Sequence, residues 1–129
     1  MAVNSDIRIL VVDDFLPMRT ALREALEMLK FKNIDEAENG ALALEKLDAD
    51  KFDLVISDWE MPEMNGLELL KKMKAAEKHK HIPVLMVTAE AAQENILTAI
   101  KSGAANYIVK PITVRTLLTK IKKIFEQTS

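Results

Sequence analysis

The chain has 129 residues, 49% of them hydrophobic and 29% charged, with a formal charge of −2 and no cysteine. A single domain of this size buries about two-thirds of its unfolded surface, and the composition is that of an ordinary folded globule. With no basic excess to displace counterions, nucleic acid is excluded as the main partner, and without cysteine there are no disulfides, thiolate metal sites or cysteine nucleophiles. No apolar run approaches the roughly 18 residues that span a membrane, and Met1 to Asp6 is polar, without a signal-peptide core. A soluble, cytoplasmic, monomeric chain is expected, the last because no heptad seam marks a dimer.

Ile7 to Val12 is β-branched and apolar and reads as a first buried strand, ending in Asp13-Asp14. Phe15 to Lys30 follows as a helix with Pro17 in its opening turn, where a missing N–H is harmless, and with Met18, Leu22, Ala25, Leu26 and Leu29 as its apolar stripe. Lys32 to Ala37 is a more polar strand suited to a sheet edge. Asn39-Gly40 makes a turn, and Ala41 to Leu47 a helix with Leu42, Leu44 and Leu47 as its apolar positions.

Leu54-Val55-Ile56 cannot make a useful helical turn before Pro62 but suits a strand buried on both faces, and Asp58 stands where that strand leaves the sheet. Gly66 to Lys78 reads as a helix with Leu67, Leu70 and Met73 on one face and lysines on the other. His79-Lys80-His81 is a connector whose histidines are assigned to solvent. Val84 to Val87 is a fourth strand, ending at Thr88. Ala92 to Ser102 is a helix stopped by Gly103 at a left-handed C-cap. Asn106 to Val109 is a fifth strand, followed at once by Lys110-Pro111. Thr113 is the expected N-cap of a last helix with Leu117, Ile121 and Ile124 as its stripe. Five strand–helix units imply an α/β fold, a doubly wound parallel sheet with helices on both faces.

Polar residues of particular kinds stand at four strand exits: Asp13 and Asp14, Asp58, Thr88 and Lys110. Each alone is an unremarkable turn residue, cap or solvated lysine. In a parallel sheet all the exits share one edge, where open α/β sheets bind ligands. Three clustered carboxylates raise one another's pKa unless a cation neutralises them. Oxygen-only ligands that leave room for water suit Mg²⁺. A carboxylate-held metal, a lysine and a hydroxyl are the parts that grip a phosphoryl group in transfer, and an aspartate can itself be the nucleophile. No Gly-rich nucleotide loop is present, so a separate donor must deliver the phosphoryl group.

Val11-Val12-Asp13-Asp14, Ser57-Asp58-Trp59 with Met61-Pro62, Val87-Thr88-Ala89-Glu90 and Tyr107-Ile108-Val109-Lys110-Pro111 resemble the receiver domains of two-component response regulators. Weaker marks point to the stand-alone chemotaxis regulators: Phe15, Met18-Arg19, Trp59, the run from Pro83 to Ala91, Glu94-Asn95-Ile96 and Tyr107. The resemblance runs from about residue 7 to 126 and implies one receiver domain over 1–129 without an output domain. It also implies a flavodoxin-like (β/α)5 fold with strand order 2-1-3-4-5. By the same resemblance Asp58 takes a phosphoryl group from a phosphohistidine of a chemotaxis histidine kinase. Mg²⁺ would be held by Asp14 and Asp58, by the Glu60 backbone carbonyl, and by Asp13 through water. Lys110 would pair with the phosphoryl oxygens, Thr88 would hydrogen-bond to them, and Lys110-Pro111 would be a cis peptide. Tyr107 would act as a switch, with Trp59, Ala91, Ile96 and Lys120 on or beside the face that meets a flagellar motor switch protein. The resemblance implies a signalling switch whose only catalysis is its own phosphorylation and dephosphorylation.

The chain departs from that pattern in places. Glu60 replaces the usual Asn two positions after Asp58, which bears on phosphate lifetime and on recognition by a phosphatase. Ile112 replaces a Phe after Lys-Pro, and Ala92 and Gln93 stand where lysines are usual, which bears on kinase docking and motor binding. A phosphate sink or relay receiver is the alternative role. An aspartate-nucleophile hydrolase would need Asp-x-Asp after the first strand, and a flavin carrier a hydroxyl- and Gly-rich loop there. A scaffold without phosphorylation chemistry would not fill every one of these positions.

Overall fold

In the computed structural model of the chain, residues 3–89 and 93–127 are described. Five strands alternate with five helices: β1 (Arg8–Val12), α1 (Leu16–Met28), β2 (Asn33–Ala37), α2 (Gly40–Ala49), β3 (Leu54–Asp58), α3 (Gly66–Ala75), β4 (Val84–Thr88), α4 (Gln93–Lys101), β5 (Asn106–Val109) and α5 (Val114–Gln127). All strand pairs are parallel, and the order is β2-β1-β3-β4-β5. This is the doubly wound architecture that the strand–helix pattern leads one to expect, with the strand order that the resemblance implies.

Side chains alternate across a strand with a period of two, and the interior divides accordingly. Ile9, Val11, Leu54, Ile56, Leu85 and Val87 pack with Leu22 and Leu26 of α1 and Leu117, Ile121 and Ile124 of α5. Leu10, Val12, Val55, Val84 and Met86 face the other way, onto Ala43 and Leu47 of α2, Leu69, Leu70 and Met73 of α3 and Ala99 of α4. The strands β1, β3 and β4 are therefore apolar on both faces, whereas edge strand β2 carries Asp35 and Glu36 at half-buried positions.

Three local expectations change. Asn39 caps a helix instead of forming a separate turn: its side chain accepts from Leu42 N at 2.8 Å, so α2 begins at Gly40 and buries Ala43 and Leu47, with Leu42 and Leu44 half-buried. Helix α3 ends at Ala75, before Lys78, because Ala76 turns to an extended conformation; it buries Leu69 beside Leu70 and Met73 and leaves Leu67 half-buried. The chain after it folds back in a turn, which corrects the solvent assignment of His79. That side chain is buried, with Nε2 at 2.8 Å from Asp48 Oδ1 of α2, while His81 is exposed as expected.

Two expected helix ends hold. Gly103 has φ +108°, and Ala104 N donates to Ala99 O at 2.9 Å, closing α4. Thr113 Oγ1 accepts from Thr116 N at 3.0 Å, capping α5.

Candidate functional site

Strand register builds the site. Val12 lies beside Ser57, Asp58 beside Val87, and Thr88 beside Val109, so Asp13, Asp58, Thr88 and Lys110 leave the sheet at one level. Four backbone hydrogen bonds hold this edge, three between neighbouring strand ends and one closing the loop before α3. Asp13 N donates to Ala37 O at 3.1 Å, Trp59 N to Val87 O at 2.8 Å, Lys110 N to Thr88 O at 2.8 Å and Gly66 N to Trp59 O at 2.8 Å. A Cβ on Gly66 would collide with the Asp58 carbonyl oxygen, so only glycine lets α3 start this close to the strand end. The helix is then fixed by a capping box, in which Asn65 Oδ1 accepts from Glu68 N and Glu68 Oε1 from Asn65 N.

Asp13, Asp14 and Asp58 each offer a carboxylate oxygen, all within 4.8 Å of one another. Asp13 is fully buried, Asp58 is 6% exposed and Asp14 faces solvent. Asp58 Oδ1 accepts from Trp59 N at 3.0 Å and lies 3.2 Å from Lys110 Nζ. Burial pushes the Asp58 carboxyl up, and the Lys110 charge only partly reverses this. Asp13 Oδ1 accepts from Phe15 N at 2.9 Å. Its carboxyl is also pushed up, by burial first and then by the neighbouring Asp58 and Asp14 charges. Asp13 Oδ2 is buried with no hydrogen-bond partner.

A buried carboxylate oxygen without a donor costs free energy unless a cation meets it. The donor set is all oxygen, partly open to solvent through Asp14, and suits a hard divalent cation that keeps several waters. The residues present therefore fit Mg²⁺. An open cleft of about 420 Å³ beside the aspartates is lined by Asp14, Trp59, Glu60, Met61, Pro62 and Asn65.

Of the remaining residues singled out in the sequence, Thr88 is 6% exposed at the end of β4, and the Lys110–Pro111 peptide is cis. Tyr107 is half-buried on β5 and packs on the same side of the sheet as α2 and α3. Lys120 of α5 lies 4.6 Å above the Tyr107 ring centroid and donates to Asn106 Oδ1 at 3.2 Å, so this lysine belongs with β5 more than with the solvated side of its helix. Ile96 is half-buried on α4, with Leu97 and Ile100 exposed beside it. Ala91, Glu90 and Ala92 lie outside the described residues. One contact had no signal in the sequence beyond a mark of resemblance: Arg19 Nη1 donates to the Asp13 carbonyl at 2.8 Å.

The model of the response regulator receiver domain matches residues 9–122. The chain belongs to that family. Among curated relatives, chemotaxis protein CheY-3 of Vibrio cholerae serotype O1 is 48% identical over 97% of this receiver domain and 96% of its own length. Chemotaxis protein CheY of Pseudomonas aeruginosa is 47% identical over 93% and 97%. Among solved structures, Vibrio cholerae CheY4 superposes with a TM-score of 0.86 at 31% identity, covering 92% of this chain and 98% of that one. The receiver domain of a signal transduction histidine kinase from Syntrophus aciditrophicus reaches 0.84 at 28% identity, covering 95% and 92%. The receiver domain is thus of the kind found in chemotaxis regulators. Among the described residues, no helix is long and apolar enough to cross a membrane.

Proposed function

We propose that this receiver domain is a phosphorylation-activated cytoplasmic chemotaxis regulator, with Asp58 as phospho-acceptor and a chemotaxis histidine kinase as donor. The observation that carries the reading is the Asp58 carboxylate, nearly buried, 3.2 Å from Lys110 Nζ and clustered with two further aspartates. Mg²⁺, held by Asp14, Asp58 and the Glu60 carbonyl and through water by Asp13, would offset the negative charge that gathers on the phosphoryl oxygens. An Asp58 carboxylate oxygen attacks phosphorus, the new P–O bond forming as the P–N bond of a phosphohistidine breaks and the imidazole nitrogen keeps the electron pair. Lys110, already at Asp58, turns to the phosphoryl oxygens, and Thr88 on the next strand donates its hydroxyl to them. The domain is otherwise no enzyme; hydrolysis of the aspartyl phosphate ends the signal.

Thr88 and Tyr107 lie on adjacent strands, with Met86 beside Tyr107 in register. A shift of Thr88 toward the phosphoryl group would rearrange Tyr107 and its Lys120 contact, changing the face of α4, β5 and α5 offered to a flagellar motor switch protein. Phosphorylation then biases two states of that face through their differing contacts with the phosphoryl group.

Intact-mass measurement after incubation with Mg²⁺ and acetyl phosphate tests the chemistry. One added phosphoryl group is expected, lost in Asp58→Asn; unmodified wild-type protein overturns the reading. Titration with the N-terminal peptide of a flagellar switch protein, with and without Mg²⁺ and beryllofluoride, tests the role. Tighter binding with the mimic supports motor output. A Trp59 response without tighter peptide binding favours a phosphate sink or relay, a reading supported by the likeness to a histidine kinase receiver.

A further inference from the structure

Asp13 is held from every side but one. Its N–H bonds to Ala37 O at 3.1 Å, its Oδ1 accepts from Phe15 N at 2.9 Å, and its carbonyl accepts from Arg19 Nη1 at 2.8 Å. What remains is the unpartnered, buried Oδ2. The peptide whose carbonyl Arg19 grips is the one joining Asp13 to Asp14, so its tilt sets the direction in which the exposed Asp14 carboxylate leaves the strand.

Arg19 is itself fixed. It stands in the first turns of α1, 15% exposed, and its Nε donates to Glu36 Oε1 at 3.0 Å. Glu36 accepts on its other oxygen from Arg23 Nε at 2.6 Å, and Arg23 Nη2 donates to Ile34 O at 2.8 Å. The guanidinium fork thereby spans from edge strand β2 to the end of β1. Its charge is matched by Glu36. The nearby charges that bear most on the Asp13 carboxyl are Asp58, Lys110 and Asp14.

We propose that Arg19, braced by Glu36, is a positioning residue for the Asp13–Asp14 pair, holding the peptide between them in the orientation that presents both carboxylates to one divalent cation. The inference rests on the Mg²⁺ reading given above. Arg19 acts here by geometry: two N–H groups at a fixed angle reach two acceptors on different strands, which a lysine cannot reproduce. Partners of this kind behind metal ligands are worth on the order of tenfold in metal affinity. Arg23 supplies the control, since it shares Glu36 but directs its other bond to the Ile34 carbonyl on β2, away from Asp13.

The test is Mg²⁺ affinity of the full chain, read by Trp59 fluorescence and by calorimetry, beside thermal unfolding without metal. Arg19→Ala is expected to weaken Mg²⁺ on the order of tenfold, Arg19→Lys to restore little of it, and Arg23→Ala to lower thermal stability while leaving Mg²⁺ affinity within about twofold of wild type. Wild-type protein that fails to bind Mg²⁺ overturns the metal reading itself. If wild type binds, the positioning role is overturned by an Arg19→Ala affinity equal to or tighter than wild type. Full rescue by Lys, or an equal loss in Arg23→Ala, overturns it too.

Discussion

Two groups of acids stand on this sheet, and the chain treats them in opposite ways. On edge strand β2, Glu36 is clasped by Arg19 and Arg23, and Asp35 on the other face by Lys46 at 2.9 Å. Burial pushes both carboxyls up, but the hydrogen bonds and charges of those partners more than reverse it, leaving both below their ordinary values. At the strand exits, burial pushes Asp13 and Asp58 up, and the chain's cation there, Lys110, does not reverse it. The first group is neutralised from within and stabilises the fold. The second leaves negative charge uncompensated, so the site costs stability that a bound cation would restore. Equal residue types thus separate into structural and functional acids by what the folded chain brings against them.

The largest expected effect is of the metal itself. A cation that binds only the folded state stabilises by about 2.7 kcal/mol at a hundred times its dissociation constant. Wild-type chain in millimolar Mg²⁺ should therefore unfold at clearly higher temperature than in chelator, and Asp58→Asn should lose most of that gain. An equal shift in both proteins would place the bound ion elsewhere.

Next comes the removal of an acid from each group, with opposite signs. Glu36→Ala strands two arginines at partly buried positions and should cost about 1–2 kcal/mol in urea unfolding. Asp13→Asn removes a buried unpaired charge and should add about 1 kcal/mol at neutral pH in the absence of metal. If both substitutions destabilise, the contrast between the clusters is wrong.

The pH dependence sharpens this. Asp13 has a folded pKa raised above its ordinary 3.8, so its favourable contribution is complete below that value and lost as pH rises through the folded pKa. Asp35 and Glu36 are depressed below 3.8 and 4.5, so theirs is present above those values and lost as pH falls through the folded ones. The advantage of Asp13→Asn over wild type should therefore shrink as pH is lowered toward 3.8, while the penalty of Glu36→Ala shrinks only below about 4.5. Denaturant midpoints from neutral pH downward measure both.

The sequence made the open cluster more legible than the closed one. Apolar runs ending in Asp13-Asp14, Asp58, Thr88 and Lys110 are contiguous signals, and a parallel sheet brings all strand ends to one edge. The Arg19–Glu36–Arg23 clasp joins residues whose spacing carries no motif, and it depends on how α1 lies across the β1–β2 edge. His79 eluded the sequence for a related reason: a polar connector reads as solvated, and its burial depends on α3 ending at Ala75 so that the following turn meets Asp48 of α2. Asn39 was the reverse case, a turn residue whose capping role depended only on the helix starting one residue earlier. Burial of local runs follows from composition, whereas burial of a lone polar side chain follows from the placement of elements distant in sequence.

Glu60 gives the smallest effect and the finest cut. Its side chain is exposed in the cleft that Asp14 also lines, so it adds negative charge to the open group across water. Coulomb attraction in that setting is weak and screened within about 10 Å at ordinary salt. Glu60→Asn should weaken Mg²⁺ by roughly two- to threefold at low ionic strength, a difference that vanishes in about 1 M salt. The same charge stands beside the phosphoryl group in the proposed reaction, so the aspartyl phosphate lifetime should change as well; equal lifetimes in wild type and Glu60→Asn would remove Glu60 from the account of dephosphorylation. An unchanged Mg²⁺ affinity with a changed lifetime would separate two roles of the open cluster. Mg²⁺ affinity would then be set without the Glu60 side-chain charge, which would act instead on the hydrolysis that ends the signal.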